Sequence, residues 1–182
     1  MVFENSHHQH QQAVTLRFSR ECRLGGSRIR PSEYNMGCKV AFASLYLEHL
    51  AAFFFVDARH FFTINPCWEW PNLTSLVLTS GLLRPDENET AINTMPRGAA
   101  TVVSENATTE NMEIWNGSKG FAALFRYQTF NDTRGATIVW RGTWPFFIRP
   151  PVMRDWGAVV RRRYGEDWRL DWELEQLDGR TI

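Results

Sequence analysis

The stretch Leu73-Thr-Ser-Leu76-Val-Leu78 separates its apolar residues by three positions and then by two, which is typical of a leucine-rich-repeat strand. The same spacing occurs in Phe42-Ala-Ser-Leu45-Tyr-Leu47, and Met112-Glu-Ile114-Trp115 retains the last two apolar positions. Two further runs are the apolar Ile138-Val-Trp140 and Trp168-Arg-Leu170-Asp-Trp172-Glu-Leu174, of which the second alternates cleanly with period two. These five runs predict short strands that recur at intervals of roughly 26 to 36 residues.

The segments between these runs predict helices. They cover Ala51–Phe62, Asp86 to about Met95, Ala99–Val103, Lys119–Tyr127 and Val152–Tyr164. The first is apolar on most sides, as a buried helix would be, and Pro96 interrupts the pattern between the second and third. In the fourth, Phe121, Leu124 and Phe125 share one face, whereas Pro150 and Pro151 introduce the fifth.

This alternation predicts an α/β fold, specifically a leucine-rich-repeat-like strand–helix solenoid with a parallel sheet. The residues expected to point inward from the ribbon are Leu45, Leu76, Leu78, Ile114, Ile138 and Leu170. Residues 1–37 lack a sustained period and predict a mostly disordered N-terminal arm with a short strand at Ala13–Phe18, so the repeat-like α/β domain covers 38–182. A compact α/β sandwich of the same elements is the alternative, because the repeat intervals are unequal.

Composition excludes several classes of protein. The 182 residues are 43% hydrophobic and 22% charged, which is ordinary for a globular chain. Twenty basic and twenty acidic residues cancel, so we expect no binding of nucleic acid. The longest apolar run, Leu50–Val56, is far shorter than a membrane span, and the polar first residues lack a signal peptide. We therefore expect a cytoplasmic or nuclear protein that does not enter the membrane.

The solenoid hypothesis assigns the alternate, outward-facing strand residues to a protein partner of unknown identity. The candidate partner-binding residues are Tyr46, Glu48, Val77, Thr79, Glu113, Trp115, Val139, Arg141, Arg169 and Asp171. Trp115 and Arg141 stand out because tryptophan and arginine are enriched at interface hot spots, and we expect them level with one another on neighbouring strands.

Four segments are similar to those of a known family: LYLEHLAAFFFVDARHFF (45–62), WEWPNLTSLVLTSGLL (68–83), MEIWNGSKGFAALFRY (112–127) and IVWRGTW (138–144). In these segments the chain resembles a family of uncharacterised fungal F-box-associated proteins. The resemblance implies a C-terminal repeat-like domain that holds a substrate for a ubiquitin ligase. Since no F-box-like segment stands before Phe42, we expect a truncated adaptor that lacks its F-box.

An enzyme or ligand-binding domain is the alternative function. Asn116-Gly-Ser-Lys-Gly120 is predicted to join a strand to a helix, where backbone N–H groups can hold an anion, although its spacing is not that of a P-loop. Asp171, Glu173 and Glu175 share one face of the last strand, where they could bind a cation or serve as acid and base. Neither motif is specific. The sequence predicts no catalytic residue, no metal site and no cofactor, and hence a non-enzymatic interaction module.

Overall fold

The computed structural model describes residues 13–17, 31–62, 69–106, 108–130 and 135–178. The strands are β1 (Ala13–Arg17), β2 (His49–Asp57), β3 (Ser75–Thr79), β4 (Asn111–Ser118), β5 (Phe121–Phe130), β6 (Gly135–Gly142) and β7 (Arg169–Gln176). The helices are α1 (Pro31–Ala43), α2 (Ala58–Phe62), α3 (Glu89–Glu105) and α4 (Pro150–Tyr164). The remainder of the predicted N-terminal arm, 1–12 and 18–30, lies outside the described residues, and both β1 and the start of α1 fall before residue 38.

The seven strands form one mixed sheet in the order β1-β2-β3-β4-β5-β6-β7. Strand β5 is antiparallel to both of its neighbours, whereas every other neighbouring pair is parallel. The predicted leucine-rich-repeat-like solenoid with a parallel sheet is therefore wrong. The broader prediction of an α/β chain is confirmed.

The reversal at β5 has a local cause. Ser118 pairs with Phe121, so Lys119 and Gly120 alone connect the two strands. Gly120 has φ of 88°, a left-handed conformation that a tight hairpin requires and that glycine adopts without a steric penalty. Two residues are too few for a crossover helix, which a parallel connection would need. The predicted helix over Lys119–Tyr127 is accordingly a strand.

Strand β2 replaces another predicted helix. The run Ala51–Phe62 forms β2 and the short helix α2, because a continuous apolar run is compatible with a buried strand as well as a buried helix. The predicted strand Phe42–Leu47 is instead the end of α1 and the turn after it. The Ser44 hydroxyl donates to the carbonyl of Ala41 at 2.8 Å and so helps to end the helix.

Helix α3 continues through Pro96 instead of breaking there. Asn88 caps its start, since the Asn88 side chain accepts a 2.7 Å hydrogen bond from the amide of Thr90. A buried stripe along the helix offsets the proline penalty of about 3 kcal/mol, and it comprises Ile92, Met95, Ala99 and Val103 among others. Helix α4, by contrast, was predicted over Val152–Tyr164 and begins two residues earlier, with Pro150 and Pro151 in its first turn.

One core lies between the sheet and the helices. Successive helices contact one another, so they form a layer on one face of the sheet. Trp156 of α4 is fully buried and packs against Phe125 and Tyr127 of β5. Of the residues predicted to point inward, Leu76, Leu78, Ile114 and Ile138 are fully buried, whereas Leu170 is half-buried and Leu45 lies in no strand. Within the described ranges, no helix is both long and apolar enough to cross a bilayer.

Candidate functional site

The face of the sheet opposite the helices, here called the open face, carries the side chains that alternate with the core. Strand pairing arranges them in rows. One row runs Val77, Glu113, Arg126, Val139, Glu173, and the next runs Thr79, Trp115, Leu124, Arg141, Glu175. Since strands lie about 4.8 Å apart, neighbours within a row are close enough for their side chains to touch. The open face is thus a continuous surface assembled from distant parts of the chain.

Trp115 and two phenylalanine rings form an aromatic cluster on the open face. The ring of Phe53 lies 5.7 Å from that of Trp115, and the ring of Phe54 lies 5.3 Å away in an edge-to-face arrangement. Phe54 is 42% exposed and has φ of 56°, which is a strained conformation for a bulky residue. Strand pairing between β2 and β3 shifts register between Ala52 and Asp57, so residues 53–56 form a bulge that brings both phenylalanines over β3 to Trp115.

A shallow groove of about 440 Å³ adjoins this aromatic cluster. It is lined by Glu113, Trp115, Asn116, Gly117, Ala122, Ala123, Leu124, Arg141 and Leu177. Most of these side chains are apolar or small. The residue after β7 closes one side, because the amide of Leu177 donates a 2.8 Å hydrogen bond to the carbonyl of Gly142.

Two ion pairs border the groove. Arg126 Nε lies 2.8 Å from Glu113 Oε1, and Arg141 Nε lies 2.7 Å from Glu175 Oε2. Both pairs join residues directly opposite one another on adjacent strands. Such cross-strand pairs contribute only about 0.2–1 kcal/mol, but they hold long side chains in defined positions beside the apolar lining.

The structure places the predicted site residues in different settings. Val77, Glu113, Trp115, Arg169 and Asp171 lie on the open face and are half-buried or exposed. Trp115 and Arg141 are not on adjacent strands, because Leu124 of β5 stands between them in the row.

The other predicted positions are covered or lie off the sheet. Thr79 is 4% exposed, and its hydroxyl accepts a hydrogen bond from the amide of Phe54 in the bulge. Val139 is also buried. Tyr46 is 74% exposed but lies in the turn after α1, and Glu48 precedes β2. The expectation that Tyr46 and Glu48 face outward from a strand is therefore wrong.

Sequence reasoning missed Phe53, Phe54, Leu124 and Arg126, since it assigned their segments to helices. A signal for β5 was nevertheless present. In that strand, Phe121, Ala123, Phe125 and Tyr127 alternate with period two, and the Asn-Gly-Ser-Lys-Gly segment before them is typical of a hairpin turn. No comparable alternation marks the bulge in β2.

The alternative function rests on two segments, residues 117–120 and the acidic residues of 171–175. Residues 117–120 belong to a β-hairpin, so no helix N-terminus follows them to attract an anion, and the predicted strand-to-helix turn is wrong. On β7, Asp171 binds Arg169 at 2.7 Å, which raises the pKa of the Arg169 guanidinium, and Glu175 binds Arg141. Across the described ranges, no group of three or more His, Cys, Asp or Glu side chains has the geometry to hold a metal ion.

Asp57 at the end of β2 has a structural role that accounts for its contacts. Its Oδ1 accepts hydrogen bonds from the amide of Arg59 at 2.9 Å and from the Ser80 hydroxyl at 2.9 Å. Its Oδ2 accepts another from the amide of Gly81 at 2.8 Å. Asp57 therefore starts α2 and ties it to the turn after β3.

Comparison with known proteins gives one match. The model of DUF6546, described as a family of unknown function, matches residues 1–182, and the chain therefore belongs to this family. No curated protein and no solved structure matches the chain significantly.

Proposed function

We propose that this member of the DUF6546 family is a protein-interaction module that binds a segment of a partner protein on its open face, at the groove beside Trp115. The observation that carries the proposal is the asymmetry of the sheet. The helices cover one face, whereas the described part of the other face presents an aromatic cluster next to an apolar groove.

Rigidity of the groove supports this role. Trp115 and Leu124 lie on paired strands in the middle of the sheet, so they lose little conformational entropy when a partner binds. Large aromatic side chains in such a setting typically contribute most of the binding energy of an interface. The bulge of β2 adds the exposed ring of Phe54 to the same surface.

The chemistry of the groove favours binding over catalysis. Its ionisable side chains are Glu113 and Arg141, and each is held by an oppositely charged neighbour on the next strand. Among the described residues that line it, none is a Ser, Cys, His or Lys that would act as a nucleophile beside a base.

The alternative, an enzyme or ligand-binding domain, is tested by measuring the Tm of the chain with each of a panel of nucleotides and divalent metals. A rise in Tm with one ligand would favour this alternative.

Adaptor function for a ubiquitin ligase is the narrower form of the proposal. Its support is the resemblance to F-box-associated proteins, and the partner would then be a substrate for ubiquitination. The proteins that the chain captures from a lysate test it, because substrates for ubiquitination should accumulate when the proteasome is inhibited, and captured proteins of unchanged abundance would contradict it.

The main experiment is a selection of short linear peptides from a random displayed library on the immobilised chain. We expect peptides with an aromatic or large aliphatic anchor to be enriched. Their affinity for the Trp115→Ala variant should fall by at least about tenfold, as for a hot-spot residue. Met153→Ala is the matched control, since Met153 is an exposed apolar residue of α4 in the helix layer.

Two outcomes would contradict the proposal. Either the selected peptides bind Trp115→Ala as tightly as Met153→Ala, or the selection enriches no peptide. Far-UV circular dichroism and Tm establish that each variant is folded. If Trp115→Ala is destabilised, Leu124→Ala provides a second test, because it removes apolar surface from the same groove.

A further inference from the structure

Strand β7 forms one edge of the sheet, and its outer side offers unpaired backbone groups. It spans eight residues and pairs with β6, and no other strand in the described part of the chain adjoins it. The amide of Leu177 points to β6, where it bonds to Gly142. Because successive backbone groups of a strand alternate in direction, those of Leu170, Trp172, Leu174 and Gln176 point away from β6. They are available to another strand.

The helices cover β7 less completely toward its C-terminal end. The apolar residues Leu170 and Trp172 face the core side and are half-buried, but Leu174 on the same side is 58% exposed. Helix α4 contacts β7 sparsely compared with the contacts that β7 makes to β6. An added strand would therefore bury apolar surface on this side as well as satisfy the backbone.

The opposite side of β7 carries acidic residues at alternate positions. Asp171 pairs with Arg169, and Glu175 pairs with Arg141. Glu173, between them, lies opposite Val139 and has no ionic partner among the described residues. A second copy of β7 would set carboxylates against carboxylates, which is unfavourable for residues directly opposite one another. A strand with basic residues at alternate positions would be complementary.

We propose that the outer edge of β7 binds an extended segment of a partner protein by strand addition, and that this segment alternates apolar residues with Lys or Arg. The apolar residues would cover Trp172 and Leu174, and the basic residues would lie across from Asp171, Glu173 and Glu175. Main-chain hydrogen bonds supply affinity in this mode of recognition, and the alternating side chains supply specificity. The inference concerns the outer edge of β7, which adjoins the groove at Trp115, and it does not depend on binding in that groove.

Fluorescence anisotropy with three labelled eight-residue peptides tests the proposal on the full chain. The first alternates Lys with Val, the second has the same composition with the lysines grouped at one end, and the third alternates Glu with Val. We expect binding of the first, a decrease of at least about tenfold for the second, and no detectable binding of the third. Equal binding of the first two peptides would overturn the proposal, because attraction to basic charge alone would explain it.

A matched pair of variants tests the strand addition itself. Leu174→Pro removes one outward N–H and leaves the hydrogen bonds to β6 intact, while Leu174→Ala shortens the same exposed side chain but keeps the N–H. We expect Leu174→Pro to bind the alternating Lys peptide at least about tenfold more weakly than Leu174→Ala. Equal affinities would refute the role of the edge backbone.

Charge reversal at Glu173 is the substitution that should disturb folding least. Glu173 is exposed, so Glu173→Lys should leave the fold intact while weakening the alternating Lys peptide and strengthening the alternating Glu peptide. No change in either affinity would contradict the proposal. Sedimentation of the unmodified chain tests whether a second copy of the chain occupies the edge instead. Dimerisation that Leu174→Pro abolishes would assign the edge to a second copy and overturn the proposal.

Discussion

The amide nitrogen of Phe54 lies 2.7 Å from the hydroxyl oxygen of Thr79 and donates a hydrogen bond to it across the bulge in β2. This contact holds Phe54 in its left-handed conformation and keeps its ring against Trp115. Thr79 was predicted to contact a partner, but it is buried and supports the open face through its hydroxyl.

Removal of that hydroxyl should loosen the bulge without unfolding the chain. Thr79→Val is nearly isosteric but leaves the Phe54 amide without its acceptor, and we expect a loss of about 1–2 kcal/mol in the free energy of unfolding. Hydrogen exchange measured by NMR gives a local readout. The Phe54 amide should exchange much faster in Thr79→Val than in Thr79→Ser, which retains the hydroxyl, and equal protection in both variants would contradict the assignment.

Trp156 should be much more sensitive to substitution than Trp168. It is fully buried, its ring centroid lies 4.6 Å from that of Tyr127 in a tilted arrangement, and its indole nitrogen donates to the carbonyl of Pro96 at 3.0 Å. We expect Trp156→Phe to cost about 2–3 kcal/mol, since it removes both volume and a buried hydrogen bond. Trp168→Phe is the control, because half-buried Trp168 stacks on Tyr164 at the surface. Urea unfolding followed by circular dichroism compares the two, and similar losses would count against this account.

Stability should fall in alkaline solution because of Tyr127. Burial raises the pKa of its phenol above the ordinary value of 10.0, and the nearby Arg163 guanidinium offsets this in part. The folded state therefore retains a proton that the unfolded state releases. The resulting stability is complete below pH of about 10 and is lost as the pH rises further.

Comparison of Tm at about pH 8 and about pH 11 checks this prediction. Tyr127→Phe should lose less stability over that interval than the unmodified chain, whereas Tyr46→Phe, at an exposed turn, should behave like the unmodified chain. If Tyr127→Phe loses as much stability at alkaline pH as the unmodified chain does, groups other than Tyr127 cause the loss.

Sequence patterns located the elements whose signals are local. The apolar spacing at Leu76 and Leu78 marks β3, and the prolines at 150 and 151 followed by an amphipathic stretch mark α4. These assignments held because period two and period 3.6 are distinct when polar residues separate the apolar ones.

Two errors share a physical cause. In Leu50–Val56 all residues are apolar, so periodicity carries no information. The sequence of β5 fits two patterns at once. Phe121, Leu124 and Phe125 would share a helical face, and Phe121, Ala123 and Phe125 would share a strand face. Pairing with β4 and β6 decides between them, since it supplies hydrogen bonds along both edges of β5.

The amino-acid sequence alone was sufficient to indicate an α/β protein, most of its strands and the helix α4, because propensity and hydrophobic period act over a few neighbouring positions. The direction of β5, the bulge of β2 and the composition of the open face depended on tertiary structure. Trp115 meets Phe54 and Arg141 meets Glu175 only after strands far apart in sequence pair with one another. No local pattern encodes such contacts, because their energies arise from packing and register across the sheet.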